Sequence, residues 1–163
     1  VSGMDILPSS YPVNLADAPT TSSVLGVTHD WEAIGLWLSV KTQRSAHTRR
    51  AYQREAQRFL TFLSAELGIQ QLSEIKLTHI QAYLHHLAEP PAHWLIGHTP
   101  MAERRPTQLL RSALAPQSIA YSRTVIGSLL DFLQQAGHVQ ANPVSLSPAS
   151  SQSSANMLTI YAY

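Results

Sequence analysis

The chain has 163 residues, 44% of them hydrophobic, a formal net charge of +1 and no cysteine. That is enough for one modest domain with tails, and it excludes a disulfide framework and a thiolate metal site. No apolar run approaches the roughly 18 residues of a membrane span, and no basic-then-apolar stretch marks a secretory leader, so a cytoplasmic protein is expected.

Residues 1–29 carry Asp5 and Asp17, no Lys or Arg, and many Ser, Thr and Pro. Such a segment buries too little apolar surface to offset its ordering entropy, and a disordered arm is predicted. In "HDWEAIGLWLSVKTQ", Trp31, Ile34, Trp37 and Leu38 recur at helical spacing. They predict a first helix over Asp30–Thr42 with Asp30 as its N-cap. Ser45 is placed to cap a second helix that runs to Leu67 and stops at Gly68. A third helix is predicted over His79–Ala88, with Thr78 as cap and Pro90-Pro91 as its end. A long connector holding Trp94 and Arg104-Arg105 follows. A fourth helix then starts at Pro116, buries a stripe of Ile119, Ser122, Ile126, Leu129, Leu130 and Leu133, and ends at Gly137. Asn142-Pro143 closes the unit. The expected organisation is an arm over 1–29, an all-α domain over 30–143 and a tail or linker remnant over 144–163, with no internal repeat and no strand.

The charge is unevenly placed. Every Lys and Arg lies between Lys41 and Arg123, and Lys41–Arg58 holds six of them against the single acid Glu55. On a helical wheel with Arg50 at zero, Arg54 and Arg58 fall at roughly 40° and 80°. Tyr52, Ala56, Phe59, Leu60, Leu63 and Leu67 fall between about 180° and 280°. The wheel therefore turns these arginines to solvent, opposite the apolar stripe, with Arg49 nearer the apolar side. A charged outer face is often only a solvated surface, but that kind usually mixes signs. A single-sign face is the electrostatic footprint of a phosphate-binding surface.

Taken in order, "SAHTRRAY", "RFLTFL", "LSEIKLTHIQAYLHHL" and "APQSIAYSRTVIGSLLDFLQQAGHVQANP" resemble the N-terminal core-binding domain of the tyrosine recombinases, the phage-integrase family. Ser45, Thr48, Tyr52, Phe59, Phe62, Leu63, Ile80, Leu84, Ser118, Ile119, Leu129, Phe132, Leu133, Gly137, Asn142 and Pro143 follow that family's pattern. The resemblance covers about two thirds of the chain. It implies a four-helix, SAM-like orthogonal bundle that grips one face of double-stranded DNA for integration and recombination. Helices two and four would approach the major groove. Carried over by position, the implied DNA contacts are His47, Thr48, Arg49, Arg50 and Arg54 from helix two, and Gln117, Ser118, Tyr121 and Arg123 from helix four. In the family a separate C-terminal domain cuts and rejoins the strands, using an arginine pair, a lysine, His or Trp residues and a tyrosine nucleophile. Only about 20 residues follow Pro143, and Tyr161 and Tyr163 lack the preceding His and Arg motifs, so this chain is expected to be noncatalytic. The isolated domain is expected to be a monomer, joining other protomers in a synaptic complex only as a full-length bacterial, nucleoid-associated recombinase.

Other readings weigh less. His85, His86, His93 and His98 fit no zinc-ligand spacing, so neither a metal nor a cofactor is expected. No nucleophile elbow is present for a Ser-His-Asp hydrolase. Trp31, Trp37 and Tyr52 read as core, and Arg104-Arg105 as solvated loop charge. The alternative function is a helical protein-interaction module whose basic face meets an acidic partner.

Overall fold

The computed structural model describes residues 29–147; the predicted N-terminal arm up to residue 28 and the tail from residue 148 lie outside the described residues. Four helices carry the fold: α1 (Asp30–Lys41), α2 (Ala46–Leu67), α3 (Leu77–Ala88) and α4 (Pro116–Gln135). Among the described residues there is no strand, only an isolated parallel bridge between Leu95 and Leu110. No described helix is long and apolar enough to cross a membrane.

α2 starts as its sequence dictates. The Ser45 side chain accepts from the Thr48 N–H at 3.0 Å, which satisfies one of the orphan donors of the first turn. It ends at Gly68, whose left-handed φ of +66° suits a residue without a Cβ. Gly137, at φ +79°, serves the same purpose after α4. Two caps differ from expectation. α3 begins at Leu77 with Lys76 as N-cap, ahead of Thr78. Asp30 is not the N-cap of α1; that position is His29. Asp30 instead lies inside the first turn, fully buried. Its carboxylate accepts from the Leu72 N–H at 2.9 Å and meets His138 Nε2 at 2.8 Å. One acid thus ties the start of α1 to the turn before α3 and to the residue after Gly137.

The core is continuous through all four helices, with Trp37, Leu38, Phe59, Leu60, Leu63, Tyr83, Leu87, Trp94, Leu129 and Leu133 essentially without exposure. Trp37 stacks on Tyr52 at 5.3 Å between ring centroids, and its Nε1–H donates to Ser128 Oγ at 3.2 Å, so α1, α2 and α4 meet at one indole. Tyr83 of α3 packs edge-on against Phe59 at 5.0 Å. The middle of α2 is enclosed on every side: Glu55, Ala56 and all residues from Arg58 to Leu63 are buried.

The connector from α3 to α4 is held by its tryptophan. Trp94 is buried and donates its Nε1–H to Glu66 at 2.7 Å, while His93 Nε2 meets the same oxygen at 2.8 Å. Backbone bonds from Ile96 to Leu110 and from Leu110 to Trp94, at 2.8 and 3.0 Å, fold the rest of it back on itself. Packing also continues past Pro143. A 3₁₀ turn over Pro143–Leu146 rests on α4, with Val144 Cγ1 3.2 Å from where a Cβ on Gly127 would lie.

His86 sits beside Trp94, edge-on at 4.4 Å, and 4.7 Å from the Phe62 ring. Its Nε2 is buried without a hydrogen-bond partner. Burial lowers its pKa from the usual histidine value, against the opposing pull of Glu66. The fold therefore favours the neutral ring. An unfolded histidine titrates near 6.5; as the pH falls through that value the unfolded state takes the proton first, and stability is lost until the folded pKa is passed. The denaturation midpoint should drop as the pH falls through about 6.5, and His86→Phe should flatten that drop; parallel curves for both proteins would show that other groups cause it.

Candidate nucleic-acid interface

The first two turns of α2 present their cations outward. Lys41 at the end of α1, Arg44 in the intervening turn, and His47, Arg50 and Arg54 on α2 are exposed, while Thr48 and Arg49 are half-buried. The start of α4 lies beside this run. There Gln117, Ser118 and Tyr121 are exposed, Tyr121 as an unusually open aromatic at 42%. Its hydroxyl pKa is raised, by burial first and then by Tyr52 and Glu55, with Arg54 opposing, so the phenol stays a neutral donor.

Between the two helices opens a cleft of about 320 Å³, lined by Arg54, Glu55, Arg58, Leu114, Gln117, Ser118 and Tyr121. Of the nine residues singled out in the sequence, the fold brings Arg54, Gln117, Ser118 and Tyr121 together in this cleft. His47, Thr48, Arg49 and Arg50 do not line it; they continue the surface along the start of α2.

Arg123 is placed differently. It is half-buried, and its guanidinium donates to Ser147 Oγ at 2.7 Å, to the Val144 carbonyl at 3.1 Å and to the Ser147 carbonyl at 2.8 Å. Burial lowers its pKa from the usual arginine value. These bonds, with Asn142 Nδ2–H donating to the Gly127 carbonyl at 3.1 Å, pin the 3₁₀ turn after Pro143 onto α4.

Arg58 corrects the helical wheel. It does not look outward; it is 7% exposed and approaches Glu55 at 3.4 Å. The Glu55 carboxylate also accepts from the Ser122 hydroxyl at 2.7 Å. The lone acid of the basic stretch is thus a buried link from α2 to α4, and it offsets the charge of Arg58 locally. The remaining cations, Lys41, Arg44, Arg49, Arg50 and Arg54, keep the surface strongly positive. The only trace of this link in the sequence is the i, i+3 spacing of Glu55 and Arg58. Among the described residues no group of three or more His, Asp or Glu side chains is disposed to hold a metal ion.

Residues 36–95 match the family model described as phage integrase, N-terminal SAM-like domain. The match supports the family recognised in the sequence, and the four described helices form the all-α SAM-like fold expected of it. The matched span takes in the second half of α1, all of α2 and α3, and the turn at Trp94; α4 lies beyond it. No curated protein and no solved structure matches the chain.

Proposed function

We propose, on the premise that residues 36–95 are the N-terminal SAM-like domain of a phage-integrase relative, that this domain grips duplex DNA for site-specific recombination. The observation that carries the reading is the exposed, single-sign run from Lys41 to Arg54 beside the polar start of α4. Arg50 and Arg54 meet phosphates, His47, Thr48 and Arg49 follow the groove edge, and Gln117, Ser118 and Tyr121 reach toward bases. Phosphate contacts of this kind set register, and base-edge contacts set sequence. Arg123 drops out of the DNA-contacting set, because its donors are engaged by the turn at residues 144–147. Cutting and rejoining strands is the task of a separate catalytic domain, so the domain acts as one half of a clamp, without catalysis of its own. As part of a whole recombinase it would work in the bacterial cytoplasm, on the nucleoid and within a synaptic complex.

Duplex binding followed by fluorescence anisotropy at several salt concentrations tests this. Each neutralised phosphate contributes about −0.9 to the log–log salt slope. Arg50→Ala should reduce the magnitude of the slope by roughly one and weaken all sequences alike. Weak binding without a salt slope, unchanged in Arg50→Ala, would rule out the DNA reading and favour a helical protein-interaction module.

A further inference from the structure

α4 begins without a side-chain cap. Its N-cap is Ala115, in extended conformation, and Pro116 has no N–H to offer. The first backbone bond of the helix runs from the Ile119 N–H to the Ala115 carbonyl at 3.0 Å, so the amides of Gln117 and Ser118 are left as orphan donors at the helix end. Both residues line the cleft that faces α2.

A second feature of the cleft is independent of that helix end. Arg58 lines it from α2 with only 8% of its side chain exposed, and its Nε–H has no hydrogen-bond partner. Its contact with Glu55 is long, at 3.4 Å, and that carboxylate is already engaged by Ser122 at 2.7 Å. A buried guanidinium with donors to spare is costly unless an acceptor completes it. Arg54 adds a second guanidinium one turn earlier on the same face. Two arginine forks opposite the positive end of a helix are the donor set of a tetrahedral oxyanion site.

We propose that the α2–α4 cleft seats one phosphate group, held between the Gln117 and Ser118 amides and the guanidinium groups of Arg54 and Arg58, and that this group is a phosphodiester of the DNA backbone. The proposal rests on the DNA-binding reading above and deepens it. One phosphate enters the cleft and anchors the duplex there, while Arg50 and the other exposed cations of α2 outside the cleft add further phosphate contacts along the backbone.

The test uses the full chain and Ala115→Asn. Asparagine at the N-cap adds no charge, and its side-chain oxygen accepts from one of the two orphan amides, so it intrudes on the seat while leaving the fold as stable as before or more so. Two arms are needed. In the first, duplex binding is measured over a salt series for wild type, Ala115→Asn and Arg50→Ala. In the second, inorganic phosphate is titrated at constant ionic strength while the Gln117 and Ser118 amide resonances are followed. Ala115→Asn is expected to weaken duplex binding roughly tenfold, as loss of charge-assisted bonds implies, and to abolish the phosphate-induced shifts seen in wild type. Arg58→Met, which keeps the length of the side chain, should reproduce both effects if it folds. Wild-type duplex affinity in Ala115→Asn, beside a clear loss in Arg50→Ala, would overturn the seat and leave the DNA reading standing. Phosphate shifts without any salt-dependent duplex binding would overturn the polynucleotide assignment and leave a site for free phosphate. Absence of both would overturn the proposal altogether.

Discussion

Asp30→Ala should destabilise the domain by about 3–5 kcal/mol, because truncating one member of a buried hydrogen-bonded pair strands the groups it served. Those groups are the Leu72 N–H and the His138 ring, 2.9 and 2.8 Å from the carboxylate, and His138 is itself 2% exposed. They lie 42 and 108 residues away in sequence. The bond closes the bundle between its first helix and the segment after its last. Denaturant titration beside Glu32→Ala, a half-buried acid on the same helix, provides the comparison. A loss at Asp30 no larger than at Glu32 would mean that the contact adds nothing net.

Phe59→Ala should cost a similar amount, about 3–5 kcal/mol, as expected for a buried aromatic that leaves a cavity. Its ring has no exposure and supports the edge of Tyr83 at 5.0 Å, so α2 and α3 would both lose contact. Arg54→Ala, on the exposed side of the same helix, should stay within roughly 0.5 kcal/mol. Equal losses at the two positions in a chemical denaturation series would show α2 rotated from the orientation described.

These two sites differ in how visible they are in the sequence. Phe59 belongs to a stripe with Tyr52, Ala56, Leu60 and Leu63, and helical geometry alone turns that stripe inward. Asp30 precedes an apolar-periodic run, where an acid ordinarily reads as a cap. Its actual partners cannot be found from spacing, since nothing local links residue 30 to residue 138. The same limit applies to Glu55. As the single acid in a basic stretch it reads as a minor correction to the charge; folding brings Ser122 within 2.7 Å of it and makes it a strut between α2 and α4.

The wheel of α2 holds for its first two turns and fails at Arg58. A wheel assumes one buried face and one wet face. That is true where α2 projects at Arg50 and Arg54, and untrue at its middle, where the residues from Arg58 to Leu63 are buried all round. Arg123 likewise reads as a surface cation on α4, and only the return of the chain at Val144 and Ser147 gives its donors their acceptors.

Local chemistry in the sequence was sufficient to determine the four helices, the Ser45 cap, the glycine stops at 68 and 137, the apolar stripes and the concentration of cations between Lys41 and Arg58. Each depends on bonds and periodicities that span a few residues, and those are written in the order of side chains. The tertiary structure alone decided which cations remain in water, which polar residues become buried struts, and that Arg54 and the start of α4 face one another across a cleft. Those outcomes depend on contacts between residues far apart in the chain, whose energies exist only once the helices have packed.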